Sequence, residues 1–278
     1  YDGTARVATA TTAPVGKTVV ITYDDSATSP TNAGTYAVVA TVNETNYEGT
    51  ASDSLVVAKA AATVTLGSLA ATYNGSGKPA TATTDPAGKT VAFTYDGSAT
   101  IPTNAGTYAV VGTIDDTNYA GEESGNLVIS KATATVTITS LSTTYSGAAQ
   151  GATVTTDPAG LSTTVTYDNA ATQPTNQATY AVKAVINESN YEGEKSESFT
   201  IVPKILTVTA NDVSRVYGDD NPSTLTVNYD GFVAGESEAD LTAASSSSTT
   251  ATKLSNVGTY DIVPANTLTI ADNYAFNG

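Results

Sequence analysis

Hydrophobic and polar residues alternate along short stretches of the chain. Val19, Ile21 and Tyr23 are separated by small or polar residues, and the stretch from Val91 to Tyr95 repeats the same alternation. A period of two places the apolar side chains on one face of an extended strand. The pattern therefore predicts half-buried β-strands, and long Leu/Glu/Lys/Arg runs typical of helices are missing.

One alternating stretch indicates which of its faces is buried. Tyr180, Val182, Ala184 and Ile186 fall on one face, and Lys183 falls on the other. Lysine is rarely buried without a partner, so the face that carries Lys183 should be in contact with water. The other four side chains are then expected in the core.

Turn residues divide the alternating stretches at short intervals. Pro14, Pro86 and Pro158 are each followed two residues later by glycine. Frequent turns between short strands are typical of antiparallel sandwiches and barrels. The predicted fold class is therefore all-β, made of small modules.

The modules are visible as an internal repeat. Tyr1, Tyr73, Tyr145 and Tyr217 are separated by 72 residues each. The first three copies also share a Tyr-Asp pair, a Pro-Thr-Asn-x-x-Thr-Tyr segment and an Asn-Tyr-x-Gly segment. We place the modules at residues 1–59, 60–131, 132–203 and 204–278.

The fourth module is longer than the others. Its extra residues include 231–241 and a serine run at 245–248, and Glu236–Leu241 is expected to form a short helical turn with acidic residues at its N-terminal end. Leu206–Thr209, Leu225–Tyr229 and Thr259–Val263 are predicted strands.

Successive modules are joined without a flexible spacer. Leu55–Lys59 runs through three alanines into the strand predicted at Thr63–Leu66. The last strand of one module thus continues almost directly into the first strand of the next, which predicts a rod with restricted hinges. Each module would add about 33 Å to the length of the rod if its strands have roughly ten residues.

The two outer modules are each expected to lack one strand. Module 1 begins without the strand that Thr63–Leu66 and Thr135–Thr139 provide in the next two copies, and module 4 has no closing strand. The first interpretation is that the chain is part of a longer array whose neighbours supply these strands. The alternative is a strand exchanged between chains.

Charge and composition exclude several classes of function. The formal charge of −16 disfavours binding to nucleic acid or to an anionic membrane surface, and no membrane span or signal peptide is visible. With neither His nor Cys, the chain cannot form a Ser-His-Asp triad or a His/Cys zinc site. No catalytic residue is predicted, and the protein is expected not to be an enzyme.

Calcium is the one ligand for which the sequence offers candidates, and no other cofactor is expected. Asp115, Asp116 and Asn118 carry the hard oxygen ligands that calcium prefers. The preferred interpretation of the same residues is a polar turn between two strands, because EF-hand spacing is absent.

Four tyrosines are expected to have a structural role. Their position before an alternating segment resembles the tyrosine corner of sandwich domains, in which the hydroxyl holds a neighbouring loop. They are Tyr36, Tyr108, Tyr180 and Tyr260.

Taken together, these motifs resemble the MBG repeats of bacterial surface and adhesin-like proteins. Modules 1 to 3 carry Tyr-x-Gly, Pro-Thr-Asn and Asn-Tyr-x-Gly, whereas module 4 resembles the Tyr-Gly-x variant in Val216–Pro222. The resemblance implies an extracellular location and an immunoglobulin-like arrangement of strands, with a ubiquitin-like β-grasp as the alternative.

The expected function is a stalk or spacer of a cell-surface adhesin, whose partners are neighbouring modules of a longer chain. The alternative is that the modules themselves bind glycans or mucin-like surface glycoproteins, or self-associate in a surface filament or layer.

Overall fold

A computed structural model describes residues 1–242, 245–265 and 273–277 of the protein. These residues form strands and turns, with a single short 3-10 turn, so the predicted all-β class is confirmed. The chain divides into two compact units, Tyr1–Ala132 and Thr133–Gly278. The first contains modules 1 and 2, and the second contains modules 3 and 4.

Module 1 is a three-stranded antiparallel sheet. Its strands are β1 (Val20–Tyr23), β2 (Gly34–Glu44) and β3 (Tyr47–Val57), and β2 lies in the middle. Val38 and Tyr23 are buried where β1 pairs with β2.

Module 2 contains two small sheets and a short parallel pair. Strand β5 pairs antiparallel with β7, and a four-stranded sheet has the order β6-β11-β9-β8. Strand β6 runs parallel to β11, while β9 runs antiparallel to both of its neighbours. The strands are β4 (Ala60–Ala61), β5 (Thr63–Gly67), β6 (Ala70–Thr72), β7 (Thr81–Asp85), β8 (Val91–Tyr95), β9 (Gly106–Ile114), β10 (Tyr119–Ala120) and β11 (Glu122–Ser130).

This topology is that of a small immunoglobulin-like sandwich. The first strand of the module contributes β5 to one sheet and β6 to the other, and β5 contacts both β9 and β11 across the sandwich. The β-grasp alternative needs a helix packed on the sheet, and the described part of the chain contains none.

The core of module 2 lies between these sheets. Val110 and Leu127 are fully buried, and Tyr95, Ala80 and Ile129 are almost so. Leu127 and Ile129 occupy alternate positions on β11, as the period of two predicts, whereas Ala80 lies just before β7.

Module 3 repeats the arrangement of module 2. Val182 and Ala184 are fully buried, Ile186 is buried and Tyr180 half-buried, whereas Lys183 is exposed, so the predicted inner face is confirmed. The sheets are β13-β15 and β14-β19-β17-β16. The strands are β12 (Ala132–Thr133), β13 (Thr135–Thr139), β14 (Ser142–Thr144), β15 (Thr153–Asp157), β16 (Thr163–Tyr167), β17 (Ala178–Ile186), β18 (Tyr191–Glu192) and β19 (Glu194–Val202).

Module 4 is less regular. Strand β20 (Lys204–Ala210) lies between β21 (Val227–Asp230) and β24 (Tyr274–Asn277), and β22 (Ser246–Thr249) pairs with β23 (Ile262–Ala265). The 3-10 turn Glu238–Asp240 confirms the predicted helical turn. The strands predicted at Leu225–Tyr229 and Thr259–Val263 are displaced toward the C-terminus, to Val227–Asp230 and Ile262–Ala265. The serine run forms a strand that the sequence pattern does not predict.

The cores of modules 3 and 4 are continuous. Leu206 and Tyr274 of module 4 belong to the same buried cluster as Phe199, Ile201 and Val182 of module 3. The sequence pattern predicts a separate core for each module, and this pair departs from that expectation.

Candidate functional site: the joints between modules

One asparagine connects modules 1 and 2 through both ends of its amide. The Ala33 N–H donates to Asn118 Oδ1 at 2.7 Å, and Asn118 Nδ2 donates to Asn32 Oδ1 at 3.1 Å. The next residue, Tyr119, meets the ring of Tyr1 edge to face at 5.5 Å between centroids. The Asn-Tyr segment of one module therefore binds the end of the preceding one.

Asp116 fixes the backbone conformation of the Asn-Tyr segment. Its Oδ1 accepts from the N–H groups of Asn118 at 2.8 Å and Tyr119 at 3.1 Å, and its Oδ2 lies 3.2 Å from Lys89 Nζ. The backbone hydrogen bond from Asn118, with the Lys89 charge, lowers the pKa of Asp116. Lys89 also lies 3.9 Å above the Tyr119 ring.

The linker strand is paired with the same segment. Ala60 N–H donates to the Asn118 carbonyl at 2.8 Å, and Ala62 N–H donates to the Ala120 carbonyl at 2.9 Å. Lys59 Nζ donates to the Asp116 carbonyl at 2.7 Å. Backbone bonds thus fix the linker where it enters module 2.

The glycine of Asn-Tyr-x-Gly is required by this close approach. A Cβ placed on Gly121 would lie 2.0 Å from the Ala62 carbonyl oxygen, and one on Gly193 would lie 2.2 Å from that of Ala134. The corresponding Gly49 of module 1 has nothing within 4 Å. Glycine is therefore needed where a linker strand crosses the segment.

The joint between modules 3 and 4 repeats these contacts. Gln177 N–H donates to Asn273 Oδ1 at 2.8 Å, and Asn273 Nδ2 donates to Asn176 Oδ1 at 3.3 Å. The rings of Tyr145 and Tyr274 meet edge to face at 5.6 Å. Asn273 and Tyr274 thus take the roles of Asn118 and Tyr119, although module 4 is the divergent copy.

A carboxylate strengthens the second joint. The hydroxyls of Tyr145 and Tyr274 both donate to Glu236, the latter at 2.6 Å, and the Tyr274 hydroxyl accepts from the Val233 N–H at 2.9 Å. Glu236 belongs to the insertion that only module 4 carries. The insertion therefore adds contacts that the first joint lacks.

The four tyrosines singled out in the sequence each hold a loop. The hydroxyl of every one donates to the carbonyl four residues upstream, at 2.8–3.1 Å. In modules 1 and 3 the acceptors are Asn32 and Asn176, whose side chains contact the next module. The donor and acceptor pairs are Tyr36 and Asn32, Tyr108 and Asn104, Tyr180 and Asn176, and Tyr260 and Asn256.

Comparison with known families identifies these modules. The family model described as MBG domain matches residues 1–61, 62–133 and 134–204, and that described as MBG domain (YGX type) matches 206–278. The chain belongs to the MBG domain family. MBG domains are repeats of surface and adhesin-like proteins, an extracellular class, and are not known as enzymes. No curated protein matches the chain.

Two further observations concern the MBG modules as a whole. No helix in the described ranges is long and apolar enough to cross a bilayer. Within the same ranges, no three acidic side chains lie close enough together to form a metal cluster.

The calcium candidates lie at the first MBG joint. Asp116 and Asn118 make the contacts given above, and Asp115 is exposed, with its N–H donating to the Thr90 carbonyl. Lys89 already compensates the charge of Asp116. Calcium binding stays a prediction.

The residues that bind the Asn-Tyr segment are not recognisable from the sequence pattern alone. Tyr1, Asn32 and Ala33 lie far from Asn118 along the chain, and only the folded module brings them to one end. The signal was present, since Pro-Thr-Asn and Asn-Tyr recur together in each of the first three copies.

The two tyrosines of the second joint predict that the stability of the folded protein depends on pH. Burial, followed by the hydrogen bond to Glu236, raises the pKa of Tyr145 and of Tyr274 from 10.0 to about 12. The folded state thus holds these protons more tightly than the unfolded chain, so their stabilisation is complete below about pH 10 and is lost as the pH rises to about 12.

Thermal unfolding of the intact chain across this pH range tests the prediction, with Tyr145→Phe as the comparison because it removes one titrating phenol. The difference in thermal stability between the native chain and the variant should become smaller as the pH rises above about 10. A constant difference across the range would contradict the assignment.

Proposed function

We propose that this chain is a non-enzymatic spacer of a bacterial cell-surface adhesin, in which MBG modules hold a functional part away from the cell. One observation carries the proposal: the same joint, built from an asparagine amide, a tyrosine pair and a paired linker, occurs twice in modules of different type. A protein selected for module orientation would keep such a joint.

The joint restricts hinge motion by its geometry. The Asn118 side chain accepts a hydrogen bond from Ala33 and donates one to the neighbouring Asn32, both in module 1. A rotation of one module against the other would have to break both bonds together. Each is worth about 0.5–1.5 kcal/mol on its own, and the ring contact adds about 0.5–1.5 kcal/mol.

The linker is also arranged to carry tension. Strands β4 and β10 of module 2, and β20 and β24 of module 4, form parallel pairs at the point where the chain enters each module. A pull on the linker acts first on these backbone hydrogen bonds. Strand pairing therefore supports the side-chain contacts of the joint under load.

The absence of catalytic residue types supports a non-enzymatic role. The sequence has no His and no Cys, so its acid–base groups are carboxylates, tyrosines and lysines. The clearest pKa shifts, those of Tyr145 and Tyr274, are explained by the joint itself. They serve packing and need no substrate.

Binding of the intact chain to an array of glycans and mucin glycopeptides tests the proposal. A spacer should show no saturable binding to any of them. Saturable binding that is lost when an exposed tyrosine such as Tyr217 is replaced by serine would contradict it, and would favour the alternative in which the modules are themselves adhesive.

A further inference from the structure

Tyrosine is the most easily oxidised side chain of this protein. The sequence has 16 tyrosines, and it contains no Cys, Met or Trp, the other side chains that lose electrons readily. An electron removed from the chain therefore leaves a radical that settles on a tyrosine. Which tyrosines then react with each other depends on how they are packed.

Two tyrosines of the second joint are packed for such a reaction. Tyr145 of module 3 and Tyr274 of module 4 meet edge to face, with 5.6 Å between the ring centroids. At this spacing carbon atoms of the two rings are in van der Waals contact. A bond between the two rings would therefore join the two modules without a large movement of either.

Glu236 provides a proton acceptor for both phenols. A phenol that loses an electron at neutral pH must also lose its proton, and the proton needs a base within hydrogen-bond reach. The Tyr145 hydroxyl donates to Glu236 Oε1, and the Tyr274 hydroxyl donates to Oε2 at 2.6 Å. Glu236 is itself only half-buried, so this one carboxylate connects both phenols to water.

Burial favours a reaction within the pair over a reaction with other molecules. Tyr145 is 6% exposed and Tyr274 is 5% exposed. A ring radical formed here is therefore shielded from tyrosines of other chains and from dissolved molecules. Phe232 also contacts the Tyr274 ring, at 5.3 Å between centroids, but it has no hydroxyl and is much harder to oxidise. The phenol in contact with each of the two radicals is the other tyrosine.

The first joint has a similar ring pair in a different electrostatic environment. Tyr1 and Tyr119 meet edge to face at 5.5 Å, and the Lys89 ammonium lies 3.9 Å above the Tyr119 ring. A cation at this distance opposes the removal of an electron, because the ring becomes more positive as the electron leaves. This pair is therefore an internal comparison for the second joint.

We propose that Tyr145 and Tyr274 are an oxidative cross-linking site, at which a one-electron oxidant such as a peroxide-driven haem converts the two phenols into one dityrosine. Two equivalents of oxidant take one electron from each phenol, and Glu236 passes the two protons to water. The radicals form a carbon–carbon bond between ortho positions, and the two ortho hydrogens move to the phenol oxygens. The joint thereby becomes covalent, a function beyond that of a spacer.

Photo-oxidation of the intact chain by ruthenium(III) tris-bipyridine tests the proposal. We expect dityrosine fluorescence in the monomer and, after proteolysis, a cross-linked peptide pair that contains Tyr145 and Tyr274, with less of the pair from Tyr1 and Tyr119. Tyr145→Phe keeps the ring and removes the phenol, so it should abolish the 145–274 cross-link. Tyr217→Phe, at a tyrosine that is 59% exposed, should leave it unchanged.

Glu236→Gln tests the role of the base. The substitution keeps the size of the side chain, and formation of the 145–274 cross-link should become at least about tenfold slower. The cross-linked native chain should also unfold at higher urea concentration than the untreated chain, because the new bond restricts the unfolded state. Fluorescence without a 145–274 peptide pair, the same dityrosine yield in Tyr145→Phe, or equal rates in Glu236→Gln would each overturn the proposal.

Discussion

Replacing Gly121 by alanine is expected to destabilise module 2 by about 2–4 kcal/mol. The added Cβ would lie 2.0 Å from the Ala62 carbonyl oxygen, a distance that requires the linker strand to move away. Because Ala62 N–H bonds to the Ala120 carbonyl, that movement also breaks the β4–β10 pairing. The effect should therefore reach the joint as well as the module.

Gly49→Ala is the matched control. It changes the same position of the same motif in module 1, where nothing lies within 4 Å, and should alter stability by no more than about 0.5 kcal/mol. Urea unfolding of the intact chain, with hydrogen exchange to assign each change to a module, measures both effects. Equal effects of the two substitutions would contradict the close-approach explanation.

Asn118→Ala is expected to loosen the first joint by about 1–2 kcal/mol without unfolding either module. The substitution removes the acceptor of the Ala33 N–H and the donor to Asn32 Oδ1. It leaves the Asp116 carboxylate with its bond from the backbone N–H of residue 118. The turn should survive while the contact between modules is lost.

Exchange of the Ala33 amide hydrogen reports this loss directly, and it should accelerate by roughly tenfold. The corresponding residue in module 1, Asn46, is exposed, so Asn46→Ala serves as the control and should leave exchange at Ala33 unchanged. Unchanged exchange in Asn118→Ala would mean that the amide does not hold the joint.

The sequence was sufficient to predict the strands and their inner faces, because a half-buried strand must alternate its side chains. Lys183 alone identified the outer face of β17, and the buried Val182 and Ala184 confirm it. The fixed spacing of the tyrosines likewise identified the repeat, and the family match confirms it.

Module 4 was harder to predict for a physical reason. Ser246–Thr249 forms a strand without any apolar alternation, held by pairing with β23 and by the neighbouring bond from Ser245 N–H to the Tyr229 hydroxyl at 2.6 Å. Pairing partners of this kind come from tertiary structure and leave no periodic signal. The same holds for Glu236, whose role depends on tyrosines 91 and 38 residues away.

The partner of Asn118 at the first joint depends on the fold and not on residue type. The sequence offered Asn118 as a candidate calcium ligand, which stays a prediction, and an amide in a turn can also bind a neighbouring backbone. Only the folded positions of Asn32 and Ala33 show that its two hydrogen-bonding ends face another module. Residue type constrained the chemistry, and the fold determined the partner.

The central claim is that the joint between modules 1 and 2 holds them in one orientation. Because the native chain has no cysteine, Thr28→Cys and Thr100→Cys, at equivalent exposed positions of the two modules, can be spin-labelled specifically. Pulsed electron paramagnetic resonance should give one narrow distribution of distances between the labels, which broadens when Asn118→Ala is added. A broad distribution with Asn118 intact would contradict the account.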